Sequence, residues 1–482
     1  MEFNSVTILL LSFREVLIME RKTMDNPMGY EPVGKLLKKF AVPSVIAMLV
    51  NSIYNIVDQI FIGQGVGYLG NAATTVALPI TTIALAVAML IGAGGNAFAA
   101  IKLGEQKKDV AERTLGTVFF TMIIIGILMA VFGLIFLVPM LNLFGATENN
   151  LQYAIDYASI ILIGIPFVLC GVGGSNFART DGSPKIAMVS MVVGAVMNTI
   201  LDPIFIFVFH WGVKGAAIAT IMGQIATAII IMRYFVKSGN MRFKKEYLRF
   251  DFPLLKASIA LGVSSCITQV SSVFLQIVLN NSLVKYGNMT DVGGDIALSA
   301  MGIVMKVSMI LIAINIGIGT GAQPILGYNK GAGNYSRIQK TYILAAVVST
   351  IVSVAGWVAC VAFPQYIIAI FGNENAQFTS FAVMCLRIYM FGIFTSGFQM
   401  VTTSYFQATG QALKASVLSM LRQLIVLIPL ILVLPLFMGL NGIIYSGPIA
   451  DFVSAAIILV FAVIEIKKLN IKVAEEKGSL TA

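Results

Sequence analysis

Twelve long apolar segments recur along this 482-residue chain and restrict it to folds that span a membrane. Each runs for about 20 to 27 residues, which at 1.5 Å per residue crosses a hydrocarbon layer about 30 Å thick. Because lipid offers the backbone no hydrogen-bond partners, we expect α-helices, and so an all-α polytopic membrane protein. The predicted spans are 40–63, 72–96, 114–138, 152–176, 186–209, 213–236, 254–280, 296–322, 339–363, 381–404, 415–436 and 442–466.

The basic residues alternate between the two sides of this arrangement. Of 32 lysines and arginines, 27 lie in the terminal segments and alternate loops, whereas the opposite loops hold only Lys214 and Lys285. Cytoplasmic loops carry such an excess. The sequence therefore predicts an even number of helices and both termini in the cytoplasm. The formal net charge of +10 then reflects topology and indicates no nucleic-acid partner.

The two halves of the chain repeat each other at an offset of about 225 residues. Glycine-rich and turn segments match at 91–97 and 316–322, at 143–145 and 370–372, and at 212–215 and 439–442. Six spans in each half predict two six-helix bundles of equal topology around a central cavity. We expect a cytoplasmic tail 1–34, an N-terminal bundle 35–237, a cytoplasmic linker 238–253, a C-terminal bundle 254–470 and a tail 471–482. The glycine clusters lie at helix ends, which indicates close helix packing rather than phosphate binding.

Cysteine and histidine usage argues against an enzyme. The four cysteines lie singly in apolar spans, and His210 is the only histidine. Neither a metal-ligand cluster nor a nucleophile motif can be built from this set. We therefore expect no catalytic residues, no cofactor and no resident metal ion.

An aspartate in the first span is the first costly exception to the apolar pattern. Asn51, Asn55 and Asp58 fall at i, i+4 and i+7, which is one helix face, and Tyr54 is one turn before Asp58. Pro43 removes a backbone hydrogen bond earlier in the span and can bend the helix there. An acid at membrane depth is by default a functional-site hypothesis.

A second aspartate lies in the fifth span. Asn198 and Asp202 are one turn apart and Pro203 follows, while Thr220 lies in the outer half of the sixth span. Carboxylate, amide and hydroxyl oxygens suit Na⁺, and a buried acid pair can equally share a proton. The sequence therefore predicts a coupling-ion site, for H⁺ or for Na⁺ held at Asp58 and Asp202.

The second half of the chain serves as an internal control. Asp58 aligns with Gln276, and Ile428-Pro429 stands near the counterpart of Asp202-Pro203. Acids needed for packing in both bundles would occur in both, so their presence in one favours function over a structural polar network. Two unlike halves also disfavour a channel.

Other polar or polarizable residues within the spans are candidates for a substrate cavity. Lys306 and Asp451 lie near mid-span, where they suit an ion pair or a polar cavity lining, and Arg422 is a further charge within a span. Met and aromatic side chains adapt to varied apolar ligands, and glutamines within the spans are candidates to face the cavity. The candidate cavity residues are Gln59, Gln276, Met305, Lys306 and Gln399.

The chain resembles the multidrug and toxic compound extrusion (MATE) family, and within it the bacterial MepA-like branch. The resemblance covers about residues 35–470. It is carried by Pro43 with Val57-Asp58-Gln59, by the segment 176–185 (NFARTDGSPK) and by the segment 198–206 (NTILDPIFI). Together with the duplicated halves, these motifs are fairly specific, although each alone is weak.

The resemblance implies a V-shaped pair of six-helix bundles that exports organic cations and amphipathic drugs in exchange for Na⁺ or H⁺. It implies a monomer in a bacterial plasma membrane and a helix bend at Pro43. The family's cation site falls in the N-terminal bundle, on Asp58, Asn176, Asn198, Asp202 and Thr220. The rival hypothesis is a flippase for a lipid-linked precursor, which would favour a cavity made basic by Lys306, Arg422 or Arg387.

Overall fold

In the part of the chain that the structure describes, twelve helices are long and apolar enough to cross a membrane, which confirms the predicted fold class. The computed structural model describes residues 26–369 and 376–481. The predicted tail residues 1–25 and the repeat segment 370–372 lie outside this range. In chain order the helices are α1 Val33–Val66, α2 Leu69–Gly104, α3 Lys108–Ile135, α4 Leu151–Thr180, α5 Pro184–Val208, α6 Gly212–Lys237, α7 Phe252–Gly287, α8 Ile296–Gly331, α9 Tyr335–Ala362, α10 Gln377–Ala408, α11 Ala412–Met438 and α12 Leu440–Glu476.

Most helices extend beyond the apolar segments that predicted them. Helix α1 has 34 residues and α8 has 36, about 50 Å each at 1.5 Å per residue, so both exceed the hydrocarbon thickness. The backbone remains helical from Leu440 to Thr481, so residues 471–481, predicted as a tail, continue α12. Hydropathy marks only the lipid-facing length of a helix, whereas its polar ends project into the interface.

The two halves of the chain meet where glycines let helix backbones approach. A Cβ on Gly94 of α2 would meet the backbone of Ser258 and Gly262 in α7. On α8, a Cβ on Gly321 would meet the backbone of Ala41 at 2.6 Å, and one on Gly317 would meet Val45 at 2.6 Å, both in α1. The matched glycine segments therefore serve close helix packing, as predicted. These contacts lie toward the helix ends that are joined by the lysine- and arginine-rich loops. We call this side of the protein the basic face.

Helix α1 contributes to the hydrophobic cores of both halves. Near the basic face, Leu37 and Ala41 pack in a cluster with Ile318 and Ala322 of α8. Toward its other end, Ile62 belongs to a cluster drawn from the first half of the chain. The start of the predicted N-terminal bundle thus packs on the opposite half, and α1 connects the two mechanically.

Pro43 lies between these two anchored parts of α1. Its side chain is buried, and the helix runs through it without interruption. The next residue, Ser44, donates a hydrogen bond from Oγ to the Phe40 carbonyl at 2.9 Å. Because proline cannot donate to the carbonyl four residues before it, α1 has one fewer internal hydrogen bond at this position.

The segment between α6 and α7 is held against the basic face of the first half. Asp181, in the α4–α5 turn, accepts hydrogen bonds from the backbone N–H groups of Asn240 and Met241, both at 2.7 Å, and from the Tyr234 hydroxyl at 2.6 Å. Burial raises the pKa of Asp181 to about 6, although these donors pull it down. Farther along, Arg113 of α3 pairs with Asp251 at 2.7 Å, so the linker is fixed at both ends.

Candidate functional site

Asp58 and Asp202 meet inside the first half of the protein. Asp58 projects from α1 and Asp202 from α5, and their side chains are 8% and 0% exposed. The two carboxyl groups are close enough to interact electrostatically, and Asn198 lies beside Asp58. Two acids 144 positions apart in the sequence therefore form one cluster, as the sequence predicted.

Asn198 connects this cluster to a third helix. Its Nδ2 donates to Asp202 Oδ1 at 3.3 Å and to Thr220 Oγ1 of α6 at 3.2 Å. The spacing of one helical turn between Asn198 and Asp202 places both on the same face of α5. The structure thus brings together Asp58, Asn198, Asp202 and Thr220 from α1, α5 and α6.

The cluster is rich in acceptor oxygens that have no donor. Asp58 Oδ1, Asp202 Oδ2 and Asn198 Oδ1 are all buried without a hydrogen-bond partner among the described residues. A buried acceptor without a donor is costly, and buried carboxylates need a cation or a proton. The donor set therefore fits either a Na⁺ ion, which prefers such hard oxygen ligands, or a shared proton.

Two tyrosines flank the acid pair. Tyr54, one turn before Asp58 on α1, interacts electrostatically with both carboxylates, as predicted from its spacing. Tyr157 of α4 does the same and is only 8% exposed. Sequence reasoning missed Tyr157, because a single tyrosine in an apolar span resembles ordinary core. A phenol hydroxyl can donate to a carboxylate, so both tyrosines can adjust the affinity of the pair for a cation.

Asn176 does not join this cluster. Its Oδ1 accepts a hydrogen bond from Arg179 Nη1 at 2.7 Å, near the basic end of α4. At the same level, Ser175 Oγ lies 3.4 Å from Ser190 Oγ of α5. Ser190 precedes Asp202 by twelve residues, about 18 Å along a helix. The position carried over from the family is therefore too far toward the basic face to reach the acid pair.

Asn51 and Asn55 also do not supply the partners that their spacing predicted for Asp58. Asn55 is exposed, and its Nδ2 donates to the Asn51 carbonyl at 2.6 Å, within α1 itself. Asn198, from the neighbouring helix α5, supplies the amide contact to Asp58 instead. Sequence periodicity defines a helix face but not which helix packs against it.

Helix α5 changes its winding directly after the acid. Residues Ile204–Val208 form a π-helical turn that follows Asp202 and Pro203. Proline removes the hydrogen bond that an α-helix would make there, and π-turns inside α-helices often occur at functional sites. Asp202 thus lies where α5 is least constrained by its own hydrogen bonds.

In the second half, the buried acid has a basic partner. Asp451 of α12 accepts a hydrogen bond at 2.6 Å from Nε of Arg422 in α11. Gln399 of α10 donates to the Asp451 carbonyl at 3.3 Å and to Thr395 Oγ1 at 2.8 Å. Asp451 therefore has Arg422 as an ion-pair partner, whereas the sequence had left open an ion pair with Lys306 or a polar cavity lining. The acids of the two halves differ in chemistry, since only the first half has a carboxylate pair among the described residues.

The candidate cavity residues differ in accessibility. Gln276 and Lys306 are exposed and Met305 is half-buried. Gln59 is exposed and donates to Thr74 of α2 at 3.3 Å. Gln399 is 4% exposed and is used in the packing of the second half. Gln276, Met305 and Lys306 are thus the accessible candidates in α7 and α8.

Two repeated helical halves joined at one face, with an acid pair buried in one of them, are the architecture of a secondary transporter. The sequence model of the MatE family matches residues 43–204 and 264–433, one segment in each half. The chain belongs to this family, the MATE transporters, and is a transporter rather than an enzyme. The resemblance inferred from the residues is thereby confirmed.

Relatives and solved structures extend this match over nearly the whole chain. The multidrug export protein MepA of Staphylococcus haemolyticus (strain JCSC1435) is 28% identical over 436 residues, which cover 88% of this chain and 92% of that protein. The MATE multidrug transporter DinF-BH, solved as a ligand complex, is 33% identical with a TM-score of 0.82, covering 89% and 94%. An outward-facing MATE family transporter has the same fold, with a TM-score of 0.84 at 22% identity, covering 91% and 97%.

Proposed function

We propose that this transporter is a multidrug efflux antiporter coupled to H⁺ or Na⁺, with its coupling site at Asp58 and Asp202 in the N-terminal bundle. The observation that carries the proposal is the set of three buried acceptor oxygens without a donor, on Asp58, Asn198 and Asp202. Such a group is stable only when a cation or a proton neutralises it. Tyr54, Tyr157 and Thr220 complete its surroundings.

Helix α1 supplies a physical route from this site to the rest of the protein. Asp58 lies beyond Pro43, whereas Leu37 and Ala41 are packed with α8 of the other half. Neutralising the acid pair removes the like-charge repulsion between α1 and α5. With one backbone hydrogen bond missing at Pro43, α1 can bend there and shift its outer part relative to α8. The two access states then bind the coupling ion with different affinity, as coupling requires.

Organic cations and amphipathic drugs are the proposed substrates. The MepA relatives carry the description of multidrug export proteins, and DinF-BH is described as a multidrug transporter. The two halves are joined at the basic face, so the space between their opposite ends, near Gln276 and Met305, is the proposed drug cavity. Arg422, one of the three cations that a cavity for lipid-linked precursors would use, is paired with Asp451 and adds no net charge to such a cavity.

The orientation and setting follow from the charge distribution. We propose that the basic face is cytoplasmic, by the positive-inside rule, and that the protein acts as a monomer in a bacterial plasma membrane. The residues 35–237 and 254–470 are proposed as the two bundles that move against each other, with 238–253 as the linker between them.

Reconstitution into vesicles tests the coupling site directly. Export of ethidium, a fluorescent organic cation, would be followed under an imposed pH gradient and, separately, under an imposed Na⁺ gradient. Asp58→Asn and Asp202→Asn are expected to abolish gradient-driven export. Asp156→Asn is the matched control, because Asp156 is a partly exposed acid on the non-basic side whose carboxylate pairs with Lys214 at 3.3 Å. Unchanged export by both site variants would refute the assignment, and the gradient that drives the unmodified protein identifies the ion.

A further inference from the structure

A small basic cavity opens in the second half of the protein at the basic face. Its volume is about 220 Å³, and the ends of α8, α9, α10 and α12 surround it together with the start of α11 and the turn before it. Pockets for drug-sized ligands measure about 300–1,000 Å³, so this cavity suits a smaller group. Its lining includes four lysines, Lys330, Lys414, Lys468 and Lys472.

The charge of this cavity is only partly balanced. Glu465 is the one acid in the described lining, and it accepts hydrogen bonds from Tyr405, Gln411 and Lys414. Glu476 lies nearby, where it accepts a hydrogen bond from the Ser336 backbone. Across the described residues, Lys330, Lys468 and Lys472 make no ion pair within 4.0 Å.

The lysine side chains are arranged around an aromatic ring. Lys472 Nζ lies 4.6 Å from the centroid of the Tyr335 ring, and Lys330 Nζ lies 5.4 Å from it. These contacts hold two ammonium groups on one wall of the cavity without neutralising their positive charge. Ammonium groups that converge in this way act as donors and point charges for phosphate oxygens.

Two exposed apolar side chains directly precede lysines of the cavity lining. Leu413 is 79% exposed and precedes Lys414, and Ile471 is 61% exposed and precedes Lys472. Exposed apolar side chains beside basic ones mark the boundary between hydrocarbon and headgroups. Basic pockets between membrane helices at this level bind anionic phospholipid headgroups.

We propose that this cavity binds a phosphate group, supplied by the headgroup of an anionic phospholipid. The site is independent of the transport function proposed above, since it lies in the other half of the chain from Asp58 and Asp202. Lys468 and Lys472 from α12 and Lys330 from α8 contact the phosphate oxygens, and Leu413 and Ile471 contact the acyl chains.

Native mass spectrometry of the full-length protein in detergent tests this proposal. Phosphatidylglycerol, phosphatidylcholine and inorganic phosphate are titrated separately. At about 1 kcal/mol for each basic residue, Lys468→Gln/Lys472→Gln is expected to weaken phosphatidylglycerol binding about 30-fold. Lys468→Arg/Lys472→Arg is expected to retain it. The matched control is Lys340→Gln/Lys467→Gln, which removes two exposed lysines outside the cavity lining.

The three titrations distinguish the source of the phosphate. Lysine-dependent binding of phosphatidylglycerol that inorganic phosphate does not displace assigns the lipid headgroup. Lysine-dependent binding of inorganic phosphate alone retains the phosphate site but overturns the lipid as its ligand. Equal losses in the cavity variant and the control variant, or equal binding of phosphatidylglycerol and phosphatidylcholine, overturn the site altogether.

Discussion

Asp58 of α1 and Asp202 of α5 contact each other in a buried cluster, and neither carboxylate has an ion-pair partner among the described residues. The buried Asp451 of the second half, in contrast, pairs with Arg422 at 2.6 Å. A buried ion pair is internally neutral, whereas a buried acid pair repels itself unless a cation or a proton is present. The first cluster is therefore the one proposed to bind the coupling ion, whereas the second joins α11 to α12 by an ion pair.

Removing one carboxylate should separate stability from transport. At a pH high enough to ionise both carboxylates, and without Na⁺, Asp202→Asn is expected to raise the thermal unfolding temperature in detergent, because the like-charge repulsion with Asp58 disappears. Gradient-driven export should fall at least about tenfold, the effect of about 1.4 kcal/mol. Thermal unfolding and vesicle transport measured on one preparation check both effects. A variant that is less stable than the unmodified protein would contradict the repulsion argument.

Tyr157 should adjust the affinity of the acid pair without carrying the ion itself. Tyr157→Phe removes one phenol hydroxyl near the carboxylates, and one neutral hydrogen bond contributes about 0.5–1.5 kcal/mol. We expect the ion concentration for half-maximal export to rise about two- to tenfold, with the maximal rate little changed. Tyr153→Phe on the same helix is the control, because Tyr153 is 38% exposed and takes no part in the cluster. Identical ion dependence in both variants would exclude Tyr157 from the site.

The spans and the acid pair could be predicted from the sequence because each follows from the free energy of placing side chains in hydrocarbon. Neither prediction requires the arrangement of the helices. Twelve long apolar segments are compatible with few structures other than membrane helices. An acid within such a segment is unfavourable and therefore indicates a functional role. Periodicity also placed Asn198 one turn from Asp202 and Tyr54 one turn from Asp58. These predictions needed no knowledge of which helices are neighbours.

Sequence reasoning misplaced Asn176 and missed Tyr157, because the distance of each residue from the acid pair depends on how the helices are arranged around each other. Asn176 lies about 18 Å too far along α4 to reach Asp202. Matching a residue to a family motif does not show how far along its helix, and so how deep in the membrane, the residue lies. Tyr157 becomes a site residue only because α4 packs beside α1 and α5. Similarly, Asp451 pairs with Arg422 of the adjacent helix α11, whereas proximity to mid-span had suggested Lys306.

The seam between the halves should tolerate no added methyl group at Gly321. A Cβ there would lie 2.6 Å from the Ala41 Cα and 2.7 Å from its nitrogen, so α1 and α8 must separate. Gly321→Ala is expected to lower the unfolding temperature and the yield of monodisperse protein. Gly302→Ala on the same helix is the control, because nothing lies within 4 Å of its added Cβ. There, alanine should be neutral or stabilising by up to about 1 kcal/mol.

Asp181 and Glu105, both in turns at the basic face, should give pH effects of opposite sign. Burial raises the pKa of Asp181 to about 6, so the folded protein binds a proton more tightly than the unfolded chain. Its contribution to stability is fully present below about pH 4 and is lost as the pH rises through about 6. Relative to Asp181→Asn, the unmodified protein is expected to gain about 2 kcal/mol between about pH 7 and pH 4.

For Glu105, burial alone would raise the pKa, but hydrogen bonds from Lys102 and Lys107 bring it below its ordinary value. Its contribution is present at neutral pH and is lost as the pH falls through that lowered pKa. Unfolding temperatures measured from about pH 7.5 to pH 4 on the unmodified protein, Asp181→Asn and Glu105→Gln should therefore diverge. As the pH falls, the difference in unfolding temperature between the unmodified protein and Asp181→Asn should grow in favour of the unmodified protein. The corresponding difference from Glu105→Gln should shrink. Parallel curves for the two variants would show that neither carboxyl group controls the stability of the basic face.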